Sequence, residues 1–408
     1  MILMAFLTYL ALTVSKNLYT AEKLTMISDG IGLLEDLAGS MRLYSITYTI
    51  GQVLLFFFVK KLNMRRFLFA SVSLSAVLTA LIGLTGELSQ HYIIFLINGL
   101  LQAGMWGGTL KLLSIHLPPS MLPRAIAVMT SGPAVSGAGA YGIAALFGDN
   151  WRLPFLILGV LLAVFMLLYS IVLKRMEKLW NGEDEKNDDI ERNRSNELPE
   201  SFSSFFTRSG VVWFYVISII VGVSLSSFYF IINNNTDVYL SEVGQMSHTW
   251  AKTLMMLAPL ASAIGPILIV RSCEKHRNFF AVSLVYLLVS MIFFASLLFI
   301  YKSYPLATFV LLLLFMVFVN GARSVTLSIA GVKMRSKIDT GRYSMLVNAV
   351  SSLAMGIMPA MAADMIVGGE TVLAGFGTVF GFVFLWGIFI VLFLSVTCLA
   401  LRLKIKKK

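Results

Sequence analysis

The sequence predicts an all-α polytopic membrane protein of twelve transmembrane helices in two six-helix halves. Three observations predict it. Hydrophobic residues make up 58% of the 408-residue chain and charged residues only 13%, where a soluble domain carries about 25% charged residues. Apolar stretches of about 20 residues, long enough to cross a bilayer as helices, recur from one end to the other. Basic residues gather in every second connection between those stretches.

The stretches fall at 2–26, 37–59, 66–86, 91–116, 124–147, 152–174, 210–236, 247–271, 278–301, 305–333, 341–367 and 373–401. A cleaved signal peptide at 1–14 competes for the first, but no basic region precedes its apolar run and no clean small-residue cleavage site follows. It reads as a span. The basic connections are "KKLNMRR" (60–66), "PPSMLPR" (118–124), "RSCEKHR" (271–277), "KMRSKIDTGR" (333–342) and the tail "RLKIKKK". The alternate connections, such as "SDGIGLLED" (28–36) and "TGELSQ" (85–90), are short and mildly acidic. The net charge of +11 is therefore a topology signal rather than a nucleic-acid footprint. It places both termini in the cytoplasm of a cell membrane, which an even number of spans satisfies.

One long hydrophilic stretch, "KLWNGEDEKNDDIERNRSNELPESFSS" (178–204), divides the spans six and six. It is too poor in aliphatics to fold alone and reads as a linker. The expected units are a first bundle at 1–175, a charged cytoplasmic linker at 176–208, and a second bundle with a basic tail at 209–408. Basic loops follow the second and fourth spans and their equivalents, the eighth and tenth. Paired halves of this kind characterise transporters that hold substrate near the midplane between halves. Small-residue runs, "SGPAVSGAGAYG" (131–142) and "LAPLASAIGP" (257–266), predict close helix packing and a sliding contact between halves.

Polar groups inside the spans point to the chemistry. On the first span Tyr9, Thr13, Lys16, Thr20 and Lys23 recur every three or four residues and share one face. Ser226, Tyr229, Asn233 and Thr236 make a similar row on the seventh, the equivalent span of the second half. Lipid satisfies neither stripe, so both face protein or water. Cations dominate: Lys16, Lys111, His116 and Arg323, with Asp364 the clearest buried acid and Glu22 near an end of the first span. A cavity with excess positive charge favours an anionic ligand. Lys111 and His116 are five residues apart, about 140° around a helix, and need not share that cavity. Cys273 and Cys398 cannot meet in a disulfide, no cysteine–histidine spacing suits a metal, and no cofactor is implied. No nucleophile–base pair, phosphate loop or paired carboxylate points to an enzyme.

Several segments resemble a known family. "LTVSKNLYTAEKLTMI" (12–27) is similar to the first-helix Y-L-V-R-K-N-F signature of the organophosphate:phosphate antiporters of the major facilitator superfamily. "LYSITYTIGQVLL" (43–55) resembles the family's second helix at Ser45, Ile46, Thr47, Tyr48 and Gly51. "LQAGMWGGTLKLLSIH" (101–116), "FGDNWRLPFLILG" (147–159) and "NTDVYLSEV" (235–243) resemble parts of the fourth, sixth and seventh. The resemblance implies a major facilitator fold and anion exchange, with phosphate as a candidate counter-substrate, in a cell inner membrane. It also implies phosphate-binding arginines on the first and seventh helices, but Ser15 and Tyr229 stand there, and Gln52 replaces a cavity lysine. Lys16, Asn17 and His116 match, whereas Arg323 has no counterpart.

The expectation is a monomeric secondary transporter of a small polar organic anion, either organophosphate- or carboxylate-like. Lys16, Asn17, Tyr48, His116, Tyr229, Asn233 and Arg323 are its expected substrate site, with Lys111 and Asp364 as further charge or coupling groups. A membrane sensor for an anionic metabolite, or an exporter of lipophilic compounds, is the alternative.

Overall fold

The computed structural model describes residues 2–58, 62–117, 122–180, 209–276, 278–330 and 340–406. In chain order the helices are α1 (Ile2–Ser28), α2 (Leu34–Phe58), α3 (Met64–Leu84), α4 (Leu88–Gln102), α5 (Gly104–His116), α6 (Leu122–Phe147) and α7 (Arg152–Trp180). The second half holds α8 (Ser209–Val238), α9 (His248–Met255), α10 (Leu257–Lys275), α11 (Phe279–Ile300), α12 (Pro305–Ser324), α13 (Thr340–Val367) and α14 (Val372–Lys406). α4 with α5, and α9 with α10, are single rods interrupted at Ala103 and Met256. The described helices thus form twelve rods, six before the linker and six after. Most of the linker lies outside the described residues.

Nine rods are long and apolar enough to cross a membrane unaided. The other three are α2, α4–α5 and α6, the last contributing the shorter apolar segment Val135–Phe147. α2 and α4 are diluted by polar residues turned inward: Ser45, Thr47, Thr49 and Gln52 on one, His91, Asn98 and Gln102 on the other, all buried. The surface carries the opposite pattern. Leu96, Val164, Ile292 and Phe389 are all exposed, forming the apolar belt that a bilayer covers and water does not.

Local chemistry sets the helix ends. Asn63, Ser247 and Asn278 cap α3, α9 and α11 by accepting from the N–H three residues on, which satisfies orphan donors at each start. Pro305 opens α12 where its missing N–H costs nothing. Two one-turn π segments interrupt the α geometry, Tyr239–Val243 after α8 and Val325–Ile329 after α12. Such segments often mark functional positions. One directly follows Asp237 and Val238, the other Arg323 and Ser324.

The halves meet along three seams, α1 with α8, α2 with α13, and α6 with α9–α10. The small-residue runs lie on the third. A Cβ placed on Gly137 would stand 2.7 Å from the Pro259 ring of the other half, so only glycine permits that approach. On the second seam Gly356 of α13 presses against Ser45 and the Met41 carbonyl of α2. One large core cluster runs across both halves, from Leu18 and Tyr141 to Phe228 and Met355.

Candidate functional site

Two cations from opposite halves occupy the centre of the seam. Lys16 projects from α1 toward α13, its Nζ 3.0 Å from the Met355 thioether sulfur and 5.9 Å from the Tyr44 ring centre. A thioether is a weak acceptor, so the ammonium has no oxygen partner among the described residues. Arg323 enters from α12. Its Nε donates to the Ser226 hydroxyl at 2.9 Å and one terminal nitrogen to the Asn320 amide oxygen at 3.2 Å. Its guanidinium lies 5.3 Å from the Tyr229 ring centre and 5.0 Å from that of Phe230. The two cations are close enough to repel. Neither has an ion-pair partner among the described residues.

Rings wall this space. Tyr9 and Trp106 sit 5.4 Å apart, and Tyr44 and Tyr48 stack at 5.7 Å. Tyr9 lies within electrostatic reach of both Tyr48 and Arg323, and the Tyr48 hydroxyl faces Gln52 and Asn348. Tyr44 is held in place from behind. Its hydroxyl donates to Gln102 at 2.7 Å, and Gln102 donates to Ser75 at 2.9 Å and Asn98 at 3.1 Å.

The geometry gathers some of the predicted residues and sets others aside. Lys16, Tyr48, Tyr229 and Arg323 come together at the seam. Asn17 turns away to donate to Ser136 of α6 at 3.1 Å. The Asn233 amide faces Asn234, one turn above the cations. Asp364, expected to be a buried acid, is instead half exposed and pairs at 3.0 Å with Arg42, itself 39% exposed. A half-turn of α13 separates the buried face from that rim position, and hydropathy alone does not distinguish them. The side chains of Lys111 and His116 lie outside the described residues.

The buried acids lie elsewhere. Glu22, on the last turns of α1, accepts from Lys252 of α9 at 2.7 Å, and both are almost wholly buried. The Lys252 ammonium also donates to the Thr25 hydroxyl at 2.6 Å and the Gly148 carbonyl at 3.2 Å. Its three N–H donors thus have three acceptors, all in the first half. Gly148 ends α6 with φ +59°, a turn that glycine adopts without strain. Beside this plug is its reciprocal. Lys23 of α1 reaches into the second half, to Asp237 at 2.9 Å and to the Asn234 carbonyl. Each half inserts one lysine into a socket of the other, and the pair closes the end of the seam away from the basic loops.

Asp237 and Lys252 lay unrecognised in the sequence, although a signal was present. Both fall in or beside apolar spans, and each stands a few residues from its own span's polar positions. What composition cannot supply is that they face Lys23 and Glu22.

Two six-helix halves, a polar seam between them and a charged seal at one end define the fold of a membrane transporter. The chain belongs to the major facilitator superfamily, whose sequence profile matches residues 1–359. No curated protein matches it in sequence. Among solved structures it is similar to a bacterial homologue of the human lysosomal transporter Spinster, inward-facing and occupied, at 14% identity and a TM-score of 0.70, covering 97% of this chain and 95% of that one. It is similar to the nucleoside transporter NupG at 11% identity and a TM-score of 0.69, covering 97% and 98%. The xylose transporter XylE from E. coli, in a partially occluded inward-open conformation, matches at 15% identity and a TM-score of 0.69, covering 97% and 96%. Identities this low establish the shared fold alone.

Proposed function

We propose that this multi-pass membrane protein is a monomeric secondary transporter carrying a small organic anion across a cell membrane by alternating access. One observation carries the reading: Lys16 and Arg323 meet at the seam from opposite halves with no carboxylate paired to either among the described residues. A partly buried cation without a counterion carries a desolvation cost, and two in mutual repulsion carry more. An anion bound between them relieves both costs and ties one half to the other. The positive-inside pattern places the lysine-plugged end outside the cell, so the described conformation is closed outward. Anion binding from the cytoplasmic or the outer side would then alternate with opening of the plugs.

The organophosphate:phosphate resemblance supports anion exchange, with phosphate as the counter-substrate. Tyr229 and Ser15, where that family places its arginines, argue for a different charged group on the organic substrate. The test is a thermal-shift panel with purified protein and its Lys16→Ala variant, followed by uptake into proteoliposomes with and without internal phosphate. A ligand at a hundred times its dissociation constant stabilises by about 2.7 kcal/mol. Anions should stabilise the wild type and not the variant, and should accumulate in vesicles. Stabilisation by neutral solutes alone would overturn the reading, and binding without uptake would turn it toward a sensor.

A further inference from the structure

Resting on the anion-transport reading, we propose that the substrate is an aromatic monocarboxylate, its carboxylate held by Lys16 and Arg323 and its ring packed among the aromatic side chains at the seam. Two independent observations carry this. The first is an accounting of hydrogen bonds, the second the composition of the walls.

Many neutral polar groups at the seam are engaged with protein, while the buried Ser45 hydroxyl and the Gln52 and Asn233 amide oxygens have no partner among the described residues. The Tyr229 hydroxyl pairs with Ser262 at 3.3 Å. Asn320 donates to the Ser262 carbonyl at 3.0 Å while accepting from Arg323. Ser226 accepts from Arg323, Asn17 donates to Ser136, and the Thr13 hydroxyl donates back to the Tyr9 carbonyl at 2.9 Å. The Tyr44 hydroxyl is bound to Gln102. Asn235, which would suit a polyol, donates to the Ile231 carbonyl of its own helix at 2.9 Å.

Beyond those groups, the site offers a ligand two cations. Among the described residues the Lys16 ammonium meets the Met355 sulfur and the Tyr44 ring and no oxygen acceptor. Two of the five N–H donors of Arg323 serve Ser226 and Asn320, leaving three. With Nε bonded to Ser226, the guanidinium edge that includes Nε is already half engaged. That set suits the four lone-pair sites of one carboxylate. It falls short of the double fork that a phosphate dianion takes from two arginines.

The walls specify the rest of the molecule. Tyr44, with Tyr48 stacked on it, stands beside Lys16, Tyr229 and Phe230 stand beside Arg323, and Tyr9, within electrostatic reach of Arg323, pairs with Trp106; the rings within each pair are 5.3–5.7 Å apart. Offset and edge-on contacts of this kind favour a planar aromatic ring over a saturated one of equal size. The stacked Tyr44–Tyr48 pair is braced by the buried Gln102–Ser75–Asn98 network, so it is a rigid surface.

The test compares ligands of matched shape on the intact protein. Benzoate and phenylacetate are set against cyclohexanecarboxylate, benzyl alcohol, glucose 6-phosphate, glycerol 3-phosphate and inorganic phosphate, by thermal shift and by competition in proteoliposomes. Benzoate or phenylacetate should bind at least tenfold more tightly than cyclohexanecarboxylate, with benzyl alcohol inactive. In Phe230→Leu, which removes the ring 5.0 Å from the Arg323 guanidinium, that ratio should fall toward one while dependence on Lys16 persists. Equal binding of the saturated acid would overturn the aromatic assignment. So would a Lys16-dependent preference for a phosphate ester, which leaves anion transport standing. Failure of every anion would remove both readings.

Discussion

Replacing Lys252 by methionine isolates the seal at the closed end of the seam. The ammonium fills a socket of Glu22, Thr25 and Gly148, with its shortest contacts at 2.6 and 2.7 Å, and both ends of the ion pair are dry. Methionine fills similar volume but leaves Glu22 buried without its counterion. Breaking a buried pair from one side costs about 3–5 kcal/mol. That penalty falls on the sealed conformation, because separating the halves lets water reach Glu22. At about 1.4 kcal/mol per decade, the ratio of sealed to open protein should drop by roughly two to three and a half decades. A reporter cysteine at Thr20, buried just beneath the plugs, reads this out through its labelling by a membrane-impermeant maleimide. Native Cys273 and Cys398 are themselves buried and give a low background. The variant should label at least tenfold faster than the wild type. Adding Glu22→Gln removes the stranded charge and should restore much of the protection, since losing both partners costs less than losing one. Unchanged labelling in Lys252→Met would refute the argument, as would a double variant that opens as far as the two single effects combined.

Three further outcomes follow from the same geometry. Lys23→Met breaks the reciprocal plug to Asp237 and should raise labelling in the same assay, additively with Lys252→Met only if the plugs act independently. Arg42→Ala removes the exposed pair with Asp364 and should change stability by less than about 1 kcal/mol, measured as the thermal midpoint in detergent. Gly356→Leu pushes a side chain into Ser45 and the Met41 carbonyl across the α2–α13 seam; overpacking should cost about 1–3 kcal/mol and stop uptake, whereas normal uptake would mean the seam separates there during transport.

The sequence alone determined the class of structure and its long dimensions. A bilayer forces every buried backbone group into helices, so apolar length reveals the spans, and basic residues reveal the side on which each loop stays. The first span, expected at 2–26, is the helix Ile2–Ser28. Lys16 and Arg323 were legible as site candidates for the same reason, since a charge inside a span needs a cause. Tertiary structure decided how the charges pair. Helical periodicity places Lys16, Thr20 and Lys23 on one face of α1, but it does not say which helix stands opposite each turn. Lys16 meets a thioether and an aromatic wall, while Lys23, two turns on, meets Asp237. Glu22 and Lys252 are 230 residues apart, and nothing local to either sets their contact. Asp364 and Asp237 look alike in sequence, each an acid within or at the end of an apolar run, yet one is at a half-exposed rim and the other is sealed between the halves. The difference is the distance and facing of a neighbouring helix, which is fixed only when six helices pack against six.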